Sequence, residues 1–306
     1  MTNDSYTNQI FTINVGDGHH LHVVDWGNST AKTPFIFLHG GPGGHVKDKN
    51  KIYFDPTIHR VIFFDQRGCG ESTPYGSLKN NTITALAEDI IKIADHLHLS
   101  QFNLYGYSWG STLALYTAIN YPERAKNLVI GGVYSGDNDL PTMFGHLQTF
   151  FPEVYAKIIA DVPTTNRQNF TKHLQSQAIK GTSAEQKHAC YILNTIEGTI
   201  MSYDSDLRLP EPYDDFDPVP TRIETHFIAN NCFIPQDYLL KNAHKITAPT
   251  YIIQGRSDLV CPPRTAYEIA QQIPNAKLYW ANSNHYYERE VASLIRAVIS
   301  LVNDAL

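Results

Sequence analysis

The chain has 306 residues, of which 42% are hydrophobic, and a formal net charge of -6 at pH 7. This composition predicts a globular protein with a substantial core, and the length fits one large domain or two ordinary ones. The mild acidity and the lack of a dense Lys/Arg cluster give no indication of a nucleic-acid partner. No run of 18 apolar residues occurs, so we expect no membrane span.

The start of the chain and the cysteines bear on the compartment. Residues 1–6 are polar, without a basic start or an apolar run, so we expect no secretory signal. Cys69, Cys190, Cys232 and Cys261 lack paired spacing, which favours free thiols over a disulfide framework and resembles no zinc site. The sequence therefore predicts a cytoplasmic protein without a structural metal, and it indicates no oligomeric state.

The first predicted element is a hairpin over residues 10–26, with Gly16-Asp17-Gly18 at its turn. The alternating pattern places His20 and His22 on one strand face. Two imidazoles could ligate a metal, but no third type of ligand accompanies them. An exposed strand face is therefore the favoured interpretation.

Two short, continuous apolar runs follow, at residues 35–38 and 61–64. Such runs are typical of strands buried on both faces. Each one ends in a glycine-rich loop, at 39–44 and 65–70. Ligand-binding loops of an α/β sheet lie at the carboxyl ends of its strands, so both loops are candidates for a site.

The chain alternates between strand-like and helical runs from residue 35 to residue 133. A helix is predicted over 84–98, where apolar residues fall on one stripe, and another buried strand over 128–132. This alternation is typical of an α/β fold with a mostly parallel sheet flanked by helices.

A sharp strand-to-helix turn is predicted at residues 106–110. Its sequence is GYSWG, with Ser108 at the centre, between the apolar run 102–105 and the helical run 111–118. Gly-x-Ser-x-Gly in this context indicates a nucleophile elbow. Side chains in place of the two glycines would collide with the neighbouring strand or helix. The alternative is a glycine-rich turn with a solvated serine.

The pattern changes between residues 138 and 243, where strand-like runs vanish and helical stretches are separated by prolines. We interpret this segment as a helical cap over the catalytic edge of the sheet, inserted between core segments 1–137 and 244–306. Helices are predicted over 151–159, 184–201 and 221–229. Residues 203–220 are predicted to be an ordered loop, with disorder as the alternative.

The α/β pattern returns with strands over 250–253 and 277–280, and with helices over 265–272 and 290–302. A serine hydroxyl needs an adjacent base to act as a nucleophile. His285 follows the second of these strands and Asp258 the first, so both are expected at the carboxyl edge. Asp258 can orient the imidazole. The order Ser108, Asp258, His285 is that of the α/β-hydrolases.

An oxyanion intermediate needs two N–H donors. The residue after the nucleophile, Trp109, supplies one from its backbone, and the loop 39–44 is expected to supply the other. Pro42 has no N–H, so we choose Gly41.

Four motifs resemble those of one known family. They are HGGPGG at 39–44, DQRGCGES at 65–72, SWGSTLAL at 108–115 and GRSDLVCP at 255–262. These motifs resemble those of the proline iminopeptidases, and the likeness covers the whole chain. The resemblance implies an α/β-hydrolase fold and a cofactor-free serine exopeptidase. Members of this family remove an amino-terminal residue, preferably proline, from short peptides with a free amino terminus.

The resemblance also implies a role for two acids of the cap. Ile196-Glu197-Gly198 is similar to the family's Trp-Glu-Gly motif, and RIETHF at 222–227 is similar to its Arg-Ile-Glu-Asn-His motif. A cation that enters a partly desolvated pocket needs nearby carboxylates. We therefore predict that Glu197 and Glu224 hold the substrate's amino group, although the pattern alone indicates exposed helix charges.

The chain departs from the family's pattern in the cap. Ile196 stands where the family usually has tryptophan, Ile228 stands where an aromatic residue is expected, and the cap's start lacks the usual Asp-Trp. These departures predict a reshaped pocket wall and a wider or shifted preference for the first residue.

Three functions remain to be weighed. The first is a serine aminopeptidase that prefers proline, with broader first-residue specificity as a variant. The second is an esterase, lactonase or amidase on the same scaffold, because a fold does not fix a substrate. The third, a non-catalytic binding module, is disfavoured by the intact triad and oxyanion loop.

Overall fold

Eight strands form one sheet in the described part of the chain. The computed structural model describes residues 6–136, 140–202, 216–285 and 290–304. The strands are β1 (Tyr6–Gly16), β2 (His19–Asn28), β3 (Phe35–Leu38), β4 (Arg60–Phe64), β5 (Phe102–Tyr107), β6 (Ala125–Gly131), β7 (Thr250–Gly255) and β8 (Ala276–Ala281). Their order across the sheet is β1-β2-β4-β3-β5-β6-β7-β8. The pairs β1–β2 and β2–β4 are antiparallel and all other neighbours are parallel.

The central strands are buried on both faces, which explains their continuous apolar sequences. In β3, Ile36 and Leu38 belong to one hydrophobic cluster, whereas Phe35 and Phe37 belong to the other. Because successive side chains of a strand point to opposite faces, a strand covered on both sides needs an apolar residue at every position.

Helices cover both faces of this sheet. Three of them, α1 (Ile83–His96), α2 (Trp109–Asn120) and α9 (Pro263–Gln272), contribute buried residues to the first cluster. On the other face, α10 (Glu290–Asp304) packs against β6, β7 and β8, and its buried residues share a second cluster with aromatic residues of β3, β4 and β5. The predicted α/β fold with a mostly parallel sheet is therefore confirmed.

The segment between β6 and β7 is helical in its described residues. Its helices are α3 (Leu140–Phe150), α4 (Pro152–Asp161), α5 (Phe170–Lys180), α6 (Ser183–Ser202), α7 (Val219–Ala229) and α8 (Tyr238–Asn242). Buried residues of α3 to α6, together with Val260 and Cys261 from the loop after β7, form a third hydrophobic cluster. Among the described helices, none is long and apolar enough to cross a membrane.

Three helices of this segment, α3, α5 and α8, were not predicted from the sequence. In α5, burial is confined to Phe170, Leu174 and Ala178, so the apolar stripe is narrow and the rest of the helix is polar. The helix α3 contains Pro141 and Gly145, residues that weaken a helical pattern. Of the loop predicted over 203–220, residues 203–215 lie outside the described part of the chain, and α7 begins at Val219.

A buried ion pair ties the loop after β4 to α1. The Arg67 guanidinium donates to both Asp89 oxygens at 2.6 and 2.8 Å, and its exposure is 1% against 0% for Asp89. It also donates to Asp17 in the β1–β2 turn at 3.0 Å. Removing either partner of a buried ion pair leaves the other charge buried without compensation, which destabilises the fold.

We predict that Asp89→Ala lowers the free energy of unfolding by about 3–5 kcal/mol, because it leaves the Arg67 charge buried without its main partner. Urea denaturation followed by tryptophan fluorescence measures the loss. Asp95→Ala is the control on the same helix, because Asp95 is exposed and its pair with Arg124 contributes less than about 1 kcal/mol. Equal losses in the two variants would contradict the prediction.

Candidate active site

Ser108 lies at a tight turn between β5 and α2. Its backbone has φ 56° and ψ -129°, a conformation that non-glycine residues adopt only where the surrounding structure imposes it. A Cβ atom on Gly106 would lie 2.1 Å from the Gly110 carbonyl oxygen, and one on Gly110 would lie 2.2 Å from the Leu38 carbonyl oxygen. Glycine at both positions is what allows β3, β5 and α2 to approach each other this closely.

Asp258 and His285 form a buried acid–base pair beside this turn. Asp258 Oδ2 accepts a hydrogen bond from His285 Nδ1 at 2.8 Å, and Asp258 Oδ1 accepts the backbone N–H groups of Val260 and Cys261 at 3.0 and 2.7 Å. Because Nδ1 donates to the carboxylate, Nε2 of the neutral imidazole is the nitrogen that can accept a proton.

Gln254 positions this carboxylate and was not identified from the sequence. Its Nε2 donates to Asp258 Oδ2 at 3.2 Å and to the Cys261 carbonyl at 3.0 Å, while its Oε1 accepts the Val133 N–H at 2.9 Å. The amide thus links the loops after β6 and β7. The sequence signal that could have identified Gln254 is its position at the end of a buried strand, directly before the motif that starts at Gly255.

The pKa of His285 reflects three competing effects. Burial lowers it, but the charge and the hydrogen bond of Asp258 raise it, and the charge of Glu197 raises it further. The net result is a pKa above the ordinary value of histidine. The imidazolium form is therefore favoured by two carboxylates, those of Asp258 and Glu197.

One group of described residues could in principle hold a metal ion: Asp258, Cys261 and His285, whose donor atoms lie within 4.8 Å of one another. The Asp258 and His285 donor atoms already bond to each other, and the second carboxylate oxygen accepts two backbone N–H groups. This arrangement suits proton transfer by a histidine better than ligation.

The predicted oxyanion donors lie next to Ser108. Gly41 lines the same cavity as Ser108, and its φ of +115° favours glycine. A Cβ on Gly41 would lie 2.7 Å from the backbone nitrogens of Gly43 and Gly44. Trp109 is the first residue of α2, so its backbone N–H has no acceptor within the helix.

A buried network that the sequence did not indicate fixes the loop that carries Gly41. His39 Nε2 accepts the Gln66 N–H at 3.0 Å, so its Nδ1 carries the proton and donates to the Gly40 carbonyl. Burial lowers the pKa of His39, which favours this neutral form. The Gln66 side chain donates to the His39 carbonyl at 3.0 Å and accepts the Trp109 indole N–H at 2.9 Å.

A cavity of about 220 Å³ opens at Ser108. Its walls include Ser108, His285, Gly41 and Glu197. A smaller chamber adjoins it, and its walls include Ser108 and both predicted cap acids, together with Ile228 and Cys261. The structure therefore places the predicted nucleophile, base and acids around two pockets that share Gly41, Ser108 and Glu197.

Glu197 and Glu224 have unusual electrostatic surroundings. Burial raises the pKa of Glu197, and the charge of His285 partly offsets that effect. Burial and the charge of Glu197 raise the pKa of Glu224 well above its usual range. Within the described residues, neither glutamate forms an ion pair with a lysine or arginine. Two neighbouring acids without a cation are costly, and a cationic ligand would relieve that cost.

The two glutamates belong to differently packed helices. The neighbours of Glu197 on α6, including Ile196 and Ile200, belong to the cap cluster, whereas Ile223 and Phe227 on α7 belong to a sheet cluster. The Phe227 ring packs on Trp109, with centroids 4.7 Å apart.

Polar contacts also fasten α7 to the core loop that follows β4. Arg222 Nη1 donates to the Gly76 carbonyl at 3.1 Å, and the His226 ring bonds with the Asn81 carbonyl at 3.1 Å. Tyr75 donates to Asp217, just before the helix. The helix of Glu224 is thus attached to the core as well as to α5 and α6, whereas the neighbours of Glu197 pack in the cap cluster.

Comparison with known proteins identifies the class of fold. The family model described as the alpha/beta hydrolase fold matches residues 33–286. The solved structure of an esterase from Exiguobacterium antarcticum is similar with a TM-score of 0.64 and 20% identity, covering 96% of this chain and 99% of that one. The proline iminopeptidase of Mycobacterium smegmatis is similar with a TM-score of 0.62 and 21% identity, covering 97% and 99%. These two likenesses concern the fold.

Sequence comparison is more specific. The chain is 33% identical over 270 residues to a proline iminopeptidase of Xylella fastidiosa, with 86% of each chain covered. It is 32% identical over 295 residues to a proline iminopeptidase of Xanthomonas citri, with 94% of each covered. The chain belongs to the proline iminopeptidase family of α/β-hydrolases, as its motifs predicted.

We predict that Glu197→Gln lowers the pKa of His285. The substitution removes a negative charge that favours the imidazolium, so the ring loses its proton at a lower pH than in the wild type. An NMR titration of the histidine Cε1–H signals measures the change. Glu123→Gln, which removes an exposed charge before β6, should leave that pKa unchanged. An unaltered His285 titration in Glu197→Gln would contradict the assignment of this effect.

Proposed function

We propose that the protein is a serine aminopeptidase that releases amino-terminal proline from short peptides through an acyl-enzyme. The observation that carries this proposal is a pair of acids, Glu197 and Glu224, that lie in one chamber with Ser108 and form no ion pair with a lysine or arginine of the described residues. Membership of the proline iminopeptidase family supports the same activity.

In the proposed first step, Ser108 Oγ attacks the scissile carbonyl carbon while its proton passes to His285 Nε2. The tetrahedral intermediate then expels the leaving nitrogen, which receives that proton from His285. In the second step, water repeats the attack on the acyl-enzyme and releases the free amino acid. Asp258 keeps the imidazole in the tautomer that allows both transfers.

The oxyanion of each intermediate is assigned to the backbone N–H groups of Gly41 and Trp109. The network of Gln66 with His39 and Trp109 supports this assignment, because it ties the two donor segments together before substrate arrives. Donors held in advance act without reorganisation, and one of them typically contributes about 3–4 kcal/mol of barrier lowering.

The amino group of the substrate is assigned to Glu197 and Glu224. A protonated amine between two partly buried carboxylates gains charge-assisted hydrogen bonds and relieves their repulsion. Binding the amine in the small chamber beside Ser108 also limits the acyl group to a single residue, which is the property that defines an aminopeptidase.

The wall of the amine chamber bears on the choice of first residue. Ile228 lines the chamber together with both acids, and Ile196 lines the adjoining space. Aliphatic side chains at positions where the family has aromatic ones change the shape of the wall. Because one methylene in an apolar pocket changes discrimination by only about 1–3 kcal/mol, other small apolar first residues are expected substrates besides proline.

We also propose that catalysis and substrate selection belong to different parts of the chain. Residues 1–137 and 244–306 would act as the catalytic core, and residues 138–243 as the cap that selects the substrate. Helices α3 to α6 support this division, because most residues of the third hydrophobic cluster come from them. The four cysteines are buried and unbridged, which fits a reducing cytoplasm.

We expect wild-type protein to release the arylamine from proline p-nitroanilide, and Ser108→Ala to reduce kcat by at least about 10⁴-fold, because the nucleophile and its base act as a unit. Absorbance at the nitroaniline band measures turnover, and circular dichroism checks the fold. Ser100→Ala removes an exposed serine and should retain full activity. Absence of turnover by the wild type on proline and alanine arylamides and on proline dipeptides would refute the peptidase proposal.

An esterase is the second candidate, because the same scaffold and the same catalytic groups can hydrolyse an ester. We predict that Glu224→Gln lowers kcat/KM for proline p-nitroanilide on the order of 10²-fold, because losing one partner of a buried charge pair costs about 2–5 kcal/mol. Hydrolysis of p-nitrophenyl acetate, which has no amine, should change less than twofold. Glu153→Gln, which removes an exposed acid of α4, is the control. Equal effects on both substrates, or none on the anilide, would favour the esterase.

A further inference from the structure

The space around Ser108 has two branches, and their walls contain different charged residues. One branch, the small chamber, contains Glu224 and no lysine in its walls. The other is the main cavity of about 220 Å³, whose walls include Lys47 and Lys49 and do not include Glu224. We call Lys47 and Lys49 the lysine pair. Ser108 and Glu197 border both branches.

The lysine pair has no acidic partner among the described residues. The nearest acid in sequence, Asp48, lies between them but pairs with Lys51 at 2.9 Å. Neither Lys47 nor Lys49 takes part in an ion pair within the described part of the chain, and both are exposed. Two lysines that form no ion pair thus line the catalytic cavity, and their positive charges favour an anionic group there.

The position of His285 shows which part of a substrate occupies each branch. His285 lines the lysine branch and not the chamber of Glu224. In the proposed mechanism this imidazole gives its proton to the leaving nitrogen, so that nitrogen must lie on the side of His285. With the first residue in the acidic chamber, the remainder of the peptide extends towards the lysine pair.

We propose that Lys47 and Lys49 bind the terminal carboxylate of a short peptide, which makes di- and tripeptides with a free carboxyl end the preferred substrates. The inference rests on the proposed function, because it takes the acidic chamber as the site of the amine. A zwitterionic peptide then matches the cavity at both ends: ammonium against Glu197 and Glu224, and carboxylate against the lysine pair.

The expected size of the effect follows from exposure. Pairs between exposed charges are weak, so the lysine pair should raise kcat/KM by about three- to tenfold, not by orders of magnitude. The carboxylate is equally charged in the ground state and in the transition state, so the gain should appear in KM with kcat unchanged. Salt should remove it, because charges in water are screened beyond about 3 Å at 1 M ionic strength.

The experiment compares each peptide with its carboxamide. Wild-type protein is assayed for release of free proline from Pro-Ala and Pro-Ala-Ala, and from the same two peptides with a terminal amide, at 50 mM and 1 M NaCl. Liquid chromatography with mass detection measures proline directly. Proline p-nitroanilide, which has no carboxylate, is assayed in parallel to measure the peptidase activity that does not depend on carboxylate recognition.

The double variant Lys47→Met/Lys49→Met is the test, and Lys126→Met is the matched control, because Lys126 is exposed at the opposite end of the sheet, near the start of β6. We expect the wild type and the control to prefer the free acid over the amide by three- to tenfold in KM at one or both lengths. The double variant should show less than a twofold preference and unchanged turnover of the anilide.

Two results would overturn the inference: a wild type that hydrolyses acid and amide equally at both lengths, or a preference that persists in the double variant. Failure of the proposed function gives a different result, because then neither the peptides, their amides nor the anilide would release product. The anilide therefore separates loss of carboxylate recognition from absence of peptidase activity.

Discussion

The close crossing of β3, β5 and α2 at Ser108 is the constraint on which the rest of the site depends. The backbone of Ser108 adopts a positive φ, and a Cβ atom at Gly106 or Gly110 would collide with a backbone carbonyl group. The crossing places the serine at the amino end of a helix and beside the loop that follows β3. Gln66 then ties that loop to Trp109, so the hydroxyl and both proposed oxyanion donors form one rigid unit.

Electrostatics connects substrate recognition with chemistry. Glu197 favours the protonated form of His285, which cannot accept the serine proton. An ammonium bound to Glu197 offsets that negative charge, so it shifts the imidazole towards its neutral, basic form. In the proposed reaction, the group that identifies a substrate therefore also prepares the base. A ligand without an amine would not produce this shift.

The sequence allowed the sheet, its flanking helices and the motif residues to be predicted, because continuous apolar runs and glycine loops are local signals. It did not reveal Gln254 or the Gln66–His39 network, since their contacts join loops that are distant in sequence. The apolar stripe of α5 is too narrow to be recognised from the periodicity of its sequence. The partly buried state of Glu197 and Glu224 also depends on tertiary packing, and only the family resemblance indicated their role.

The attachment of α7 has a consequence for the cap as a whole. Glu224 is fixed to the core through Phe227, Arg222 and His226, whereas Glu197 is fixed within the hydrophobic cluster of the helical layer. A ligand that bridges the two acids therefore adds a further link between α7 and the helical layer, which already contact each other through α5 and α6. By thermodynamic linkage, such a ligand stabilises their association by the same free energy that the association contributes to its affinity. The coupling free energy is therefore the same whether it is measured as stabilisation of the contact between the layers or as affinity for the ligand.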